Sequence, residues 1–97
     1  MAKLTIDQAL KQVILAHNSG RLHEARRLLK VILKAQPKHP DANHNMGVLL
    51  VKMDTVDAAL PFFKLALEAS FGTAQFWYSY IDALVRLQRF SEAKELL

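Results

Sequence analysis

Pro40-Asp41-Ala42-Asn43-His44-Asn45-Met46-Gly47-Val48-Leu49-Leu50-Val51-Lys52-Met53-Asp54-Thr55 is the stretch whose reading decides the fold. Proline opens it at a first helical position, where a missing N–H does no harm, and Asp41 sits beside the positive helix start. Met46, Gly47, Leu50 and Met53 then recur at helical spacing on one face. Asp54-Thr55 stops the pattern, and aspartate tolerates the left-handed turn conformation better than most residues. A second helix follows over about Val56 to Ala69, with Ala59, Phe62, Phe63, Ala66 and Leu67 to bury. Pro61 lies more than one turn inside it and removes a backbone bond, so a bend or a loosened first turn is expected.

The same plan recurs on either side. Shifted along itself by 34 residues, the chain lays Ala25 on Ala59 and Ala93, and Leu15 on Leu49 and Ala83. Small, bulky and turn-forming positions coincide in blocks that open at Ile6, Pro40 and Ala74. This is the mark of a helical-hairpin solenoid, and an unrelated bundle of amphipathic helices would not place breakers at one fixed offset. The fold class is therefore all-α, an α-α superhelix of three helix-turn-helix hairpins in one domain, 1–97, with repeats at about 6–39, 40–73 and 74–97.

In the first block Thr5 and Gln8 form a capping box, Leu10, Val13 and Ile14 follow, and Asn18-Ser19-Gly20 breaks the helix at a left-handed glycine. Its second helix covers about Leu22 to Gln36, with Leu22, Ala25, Leu28, Leu29, Ile32 and Leu33 on one stripe, before Pro37 and Lys38-His39-Pro40. The third block opens with Thr73 as a cap and carries Phe76, Trp77, Tyr80, Ile81 and Leu84. Gln88 follows at the turn, and Phe90, Ala93, Leu96 and Leu97 make a second helix that stops short. The third hairpin thus reads as truncated, with an incompletely covered apolar face and a homodimer expected through that last helix.

Composition narrows the function classes. A chain of 97 residues with 52% apolar content can build one core and no second domain. It has no cysteine, which removes disulfides and thiolate metal sites and fits a reducing compartment. The longest apolar run, Met46 to Val51, is too short for a bilayer, so no membrane association and a cytoplasmic location are expected. The net charge of +4 is lopsided: eight bases face two acids up to Pro40, a balance of +6, and five face seven beyond it, a balance of −2. Arg26, Arg27, Lys30 and Lys34 run along the outer helix of the first block, without interleaved aromatics or a glycine-rich phosphate cradle. They read as a solvated convex face rather than a nucleic-acid or lipid surface. His17, His23, His39 and His44 show no helical zinc spacing, and no nucleophile stands in an activating motif. Neither metal, cofactor nor catalysis is expected.

The repeat resembles the tetratricopeptide family, whose pattern is W-x2-L-G-x2-Y, then A-x3-F, then P. Block two gives Asn43-x2-Met46-Gly47-x2-Leu50 and Ala59-x3-Phe63, with Phe71 in the proline's place. Block three gives Trp77-x2-Tyr80-Ile81-x2-Leu84 and Ala93-x3-Leu97; block one gives Ala9-x2-Gln12-Val13-x2-Ala16, Ala25-x3-Leu29 and Pro37. The alanines and Gly47 let paired helices approach, whereas Val13 and Ile81 replace that glycine and imply wider outer hairpins. More narrowly, Pro40 to Leu49 and Gln75 to Leu84 are similar to the amino-terminal repeats of bacterial multidomain proteins. There such repeats precede transferase domains of the O-linked N-acetylglucosamine transferase type.

The resemblance implies a concave groove lined by the first helix of each hairpin. Its residues would be Asp7, Leu10, Lys11, Ile14, His17 and Asn18; Asp41, His44, Asn45, Val48, Val51 and Lys52; and Gln75, Tyr78, Ser79, Asp82, Val85 and Arg86. Such a surface implies a protein-interaction module that binds a peptide or protein, its backbone meeting Asn45 and its side chains meeting Leu10, Ile14, Val48 and Tyr78. Of the carboxylate clamp by which some members hold chaperone tails only Asn45 is present, so no such binding is expected. The competing implication is a regulatory or substrate-presenting segment of a transferase. Binding of nucleic acid or a membrane surface through the basic first hairpin is a third and weaker class. Among the aromatics, Trp77, Tyr80 and Ile81 point to the core and Tyr78 to the groove.

Overall fold

The 34-residue period reappears as a period of backbone hydrogen bonds. A computed structural model describes residues 4–87 and Glu95, and in it the elements are α1 (Ile6–Asn18), α2 (Leu22–Ala35), α3 (Pro40–Lys52), α4 (Val56–Ala69) and α5 (Ala74–Arg86). Among the described residues there is no strand. At the first hairpin turn Arg21 N–H donates to Ala16 O at 2.8 Å and Gly20 N–H to His17 O at 3.1 Å. At the second, Thr55 donates to Leu50 O at 2.9 Å and Asp54 to Val51 O at 3.1 Å. This paired closure satisfies the last helical carbonyls and requires a left-handed residue. Gly20 supplies it at φ 78° and Asp54, as the sequence predicts, at φ 60°.

Two of the three first helices start on a side-chain cap, each of a different kind. Thr5 and Gln8 close the predicted box, with Gln8 N–H to Thr5 Oγ1 at 3.1 Å and Thr5 N–H to Gln8 Oε1 at 2.9 Å. His39, read from sequence as the end of a unit, instead caps α3: its Nδ1 accepts from Ala42 N–H at 3.1 Å. Thr73 does not cap α5 through its side chain, contrary to expectation, because its hydroxyl is engaged with Ser70 Oγ at 2.6 Å. Helix α4 runs through Pro61 unbroken, and its start is tightened by a bond from Ala58 N–H to Thr55 O.

One apolar seam connects all five helices, from Val13 of α1 through Leu29 of α2, Leu49 of α3 and Phe63 of α4 to Leu84 of α5. The two fully described hairpins stack through α2 and α3, and α5 packs on α4 and α3. Ala25 and Ala59 are wholly buried at the helix crossings. Gly47 meets the most demanding crossing, since a Cβ built there falls 2.6 Å from Phe63 Cδ1. The α3–α4 pair is accordingly packed more closely along its length than α1–α2, where Val13 takes the glycine's place. The predicted turn at Gln88 and the final helix bearing Phe90, Ala93, Leu96 and Leu97 lie outside the described residues, as does the dimer contact assigned to that helix.

Gly47→Ala should therefore destabilise the fold although alanine is the better helix former. Overpacking costs about 1–3 kcal/mol, against about 1 kcal/mol of propensity gain. A lowered urea midpoint is expected, partly recovered by adding Phe63→Leu. A Gly47→Ala protein as stable as the parent would refute the close approach.

Candidate functional site

Side chains three and four apart share a helix face, so α1, α3 and α5 each project one row towards the same side. Between α1 and α3 the rows enclose an open hollow of about 210 Å³, lined by Val13, Ile14, His17, Asn18, Asn45 and Val48. Between α3 and α5 a second, of about 190 Å³, is lined by Val48, Val51, Phe63, Tyr78, Ser79, Asp82 and Arg86. Val48 borders both, so the two hollows form one trough across the first helices.

Of the residues expected to line a groove, the structure brings Ile14, His17, Asn18, Asn45, Val48, Val51, Tyr78, Ser79, Asp82 and Arg86 to this trough. Ile14 and Tyr78 keep 48% and 75% of their surface exposed. Asp7, Lys11, Asp41, Lys52, Gln75 and Val85 are exposed but line neither hollow. Two expectations need correction. Leu10, 8% exposed, joins Ala9 and Val13 in the core seam instead of facing a ligand. His44, 7% exposed, is covered by α5. Its Nε2 is 2.8 Å from Ser79 Oγ, and its ring stacks on Phe76 at 4.7 Å and tilts against Phe63 at 5.8 Å.

Ser79 and His44 stand at the distance of a nucleophile and its base. A working pair would also need a group that orients the imidazole, and no described hydrogen bond reaches His44 Nδ1. The ring lies between two phenylalanines, and the pair ties α3 to α5. The sequence reading missed this tie, although its signal was present: the two residues occupy neighbouring repeat positions on adjacent first helices. Among the described residues no cluster of three His, Asp or Glu side chains could hold a metal ion. No helix there is long and apolar enough to cross a membrane.

Two histidines under or beside the trough resist protonation. Burial pushes the His44 pKa below the ordinary 6.5, with Asp41 opposing it. His17 is lowered too, first by burial and then by the nearby Lys52 ammonium. Arg86 Nε donates to Asp82 Oδ2 at 2.8 Å, an exposed i,i+4 pair that orients the guanidinium over the second hollow but adds little stability.

A family model described as Tetratricopeptide repeat matches residues 16–77. Among solved structures, a mutant of MamA is 25% identical with a TM-score of 0.81, over 96% of this chain and 54% of that one. A second, described as MamA MSR-1 C2, is 22% identical with a TM-score of 0.81, over 96% of this chain and 53% of that one. The chain thus spans about half the length of these two structures. No curated protein matches it in sequence.

The lowered pKa of His44 fixes the sign of a pH effect. The unfolded chain binds a proton near 6.5 and the folded one only at lower pH, so stability is full above pH 6.5 and declines as pH falls through the folded value. Urea midpoints should drop between pH 7.5 and 5.5, and His44→Gln, which retains a partner for Ser79, should flatten most of that drop. An equally steep profile in the variant would remove His44 as its source.

Proposed function

The chain belongs to the tetratricopeptide repeat family, and on that premise we propose that it is a protein-interaction module that holds an extended segment of a partner across α1, α3 and α5. The observation that carries this reading is the trough itself, with exposed Ile14 and Tyr78 on opposite sides of Val48. Pockets for drug-sized ligands run to about 300–1,000 Å³, whereas these hollows measure about 210 and 190 Å³. They suit single side chains of a peptide laid across both. Apolar side chains of the partner would enter beside Ile14, Val48 and Tyr78. No described hydrogen bond within the chain uses the Asn45 amide, which leaves it to meet a partner's backbone at the centre.

Asp7, Asp41, Lys52 and Gln75, exposed on the helices that carry the trough, would act at its rim through charge and orientation rather than by packing. The buried Leu10 and His44 contribute indirectly, by setting the separation of the helices that carry the trough. The narrower reading, a repeat segment serving a transferase, rests on likeness at Pro40 to Leu49 and Gln75 to Leu84, and no observation in the structure favours it.

Peptides selected by display against the protein should lose affinity when the trough is changed. Ile14→Glu and Tyr78→Ala, both at exposed positions, should each weaken binding by about tenfold, equivalent to 1.4 kcal/mol, with unchanged circular dichroism. Selected peptides that bind both variants as tightly as the parent would remove the trough as the site.

A further inference from the structure

We propose that the opposite face carries a second recognition site, a cleft between α2 and α4 that takes an acidic, amphipathic peptide segment. The cleft has a volume of about 390 Å³, larger than either hollow of the trough. Met46 and Leu50 of α3, 3% and 6% exposed, close its base, and the apolar surface within reach of a ligand is that of Leu33, Phe62 and Ala58. Phe62 and Ala58 form the α4 wall, which bears no charge, while Arg26, Lys30 and Lys34 line the α2 wall. The same helix thus supports both sites with different residues: Asn45 and Val48 towards the trough, Met46 and Leu50 towards the cleft.

The charge arrangement selects the occupant. Arg26, Lys30 and Lys34 are four residues apart, so they succeed one another every ~6 Å along α2. Glu24 is the sole acid of that helix, and it is paired with Arg21 at 2.9 Å. Arg86 pairs with Asp82 at 2.8 Å, and neither of these two pairs engages the three cations of the cleft. Like charges at this spacing repel one another, and a face kept merely for solubility would be served as well by alternating signs. Cations in line above an apolar floor complement a chain that presents carboxylates along one edge and apolar side chains along the other. Carboxylates at alternate residues of an extended segment are ~6.6 Å apart, which matches the cationic spacing. A phosphate backbone makes no use of the apolar floor, and a flat membrane surface does not reach into the cleft.

The test uses a fluorescein-labelled synthetic peptide in which glutamate and leucine alternate residue by residue, with one control in which serine replaces leucine and another in which lysine replaces glutamate. Anisotropy at physiological salt should show binding of the first peptide and affinity at least about tenfold weaker for both controls. Lys30→Glu and Ala58→Asp, both at exposed positions, should each weaken the first peptide by about tenfold, with folding verified by circular dichroism. Tyr78→Ala, on the trough, should leave this binding unchanged, so that failure here is distinct from failure of the trough. The proposal is overturned if the serine peptide binds as tightly as the leucine one, if neither cleft variant weakens binding, or if Tyr78→Ala abolishes it. Preference for phosphatidylglycerol vesicles over the peptide would also overturn it, assigning the cations to a lipid surface.

Discussion

The contact between the Gly47 backbone and the Phe63 ring is the constraint on which the other features depend. It allows α4 to approach α3 more closely than a side chain at position 47 would permit. Helix α3 is the shared support of the molecule: one face carries Asn45 and Val48 in the trough, and another carries Met46 and Leu50 at the base of the outer cleft. Phe63 also belongs to both descriptions, since it is buried against Gly47 and lines the second hollow. Interiors pack densely and respond to a single added methyl group, so a change at this crossing would reshape surfaces on both sides of α3.

A second constraint holds successive hairpins in register. Asn43 Nδ2 donates to Pro37 O and His39 O, each at 3.0 Å, and one repeat later Trp77 Nε1 donates to Phe71 O at 2.7 Å. Position for position, the same side-chain bond ties the first helix of a hairpin to the loop before it. Indole serves this role with a donor alone, whereas an amide brings an acceptor with it. Among the described residues the buried Asn43 Oδ1 has no partner, an arrangement that ordinarily costs about 1–3 kcal/mol. The family's preference for tryptophan at this position thus has a physical basis: it keeps the tie and buries no spare acceptor.

Much of the fold was legible because a repeat states each rule more than once. The starts of α1, α3 and α5 follow the period read from Ile6, Pro40 and Ala74, and Asp54 adopts the left-handed turn that Gly20 adopts one repeat earlier. What escaped the reading was how each block departs from the common plan. No pattern of apolar spacing announces that a histidine ring will cap α3 or that the Thr73 hydroxyl will turn to Ser70. The rows of positions on the first helices were legible but not their exposure. Leu10 and Ile14 lie one turn apart on the same face of α1, yet one is in the seam and the other in the trough. Neighbouring helices decide that difference, and period alone does not describe them.

His44 shows how the trough is coupled to the packing beneath it. Its ring spans Phe63 of α4 and Phe76 of α5, while its Nε2 reaches Ser79, a residue of the second hollow. The hollow between α3 and α5 is therefore set by a polar bond with aromatic rings on either side, and such a bond resists sliding more than apolar contact alone. Protonation adds a charge to a ring that burial has already stripped of water, and the energy of that charge is borne by the α3–α5 contact. The first hollow has no comparable brace: His17 lies at its edge, and Asn45, between the rows, makes no described side-chain bond. The two hollows thus differ in construction: a polar bond between α3 and α5 borders the one beside Tyr78, and among the described residues no such bond crosses the one beside Ile14.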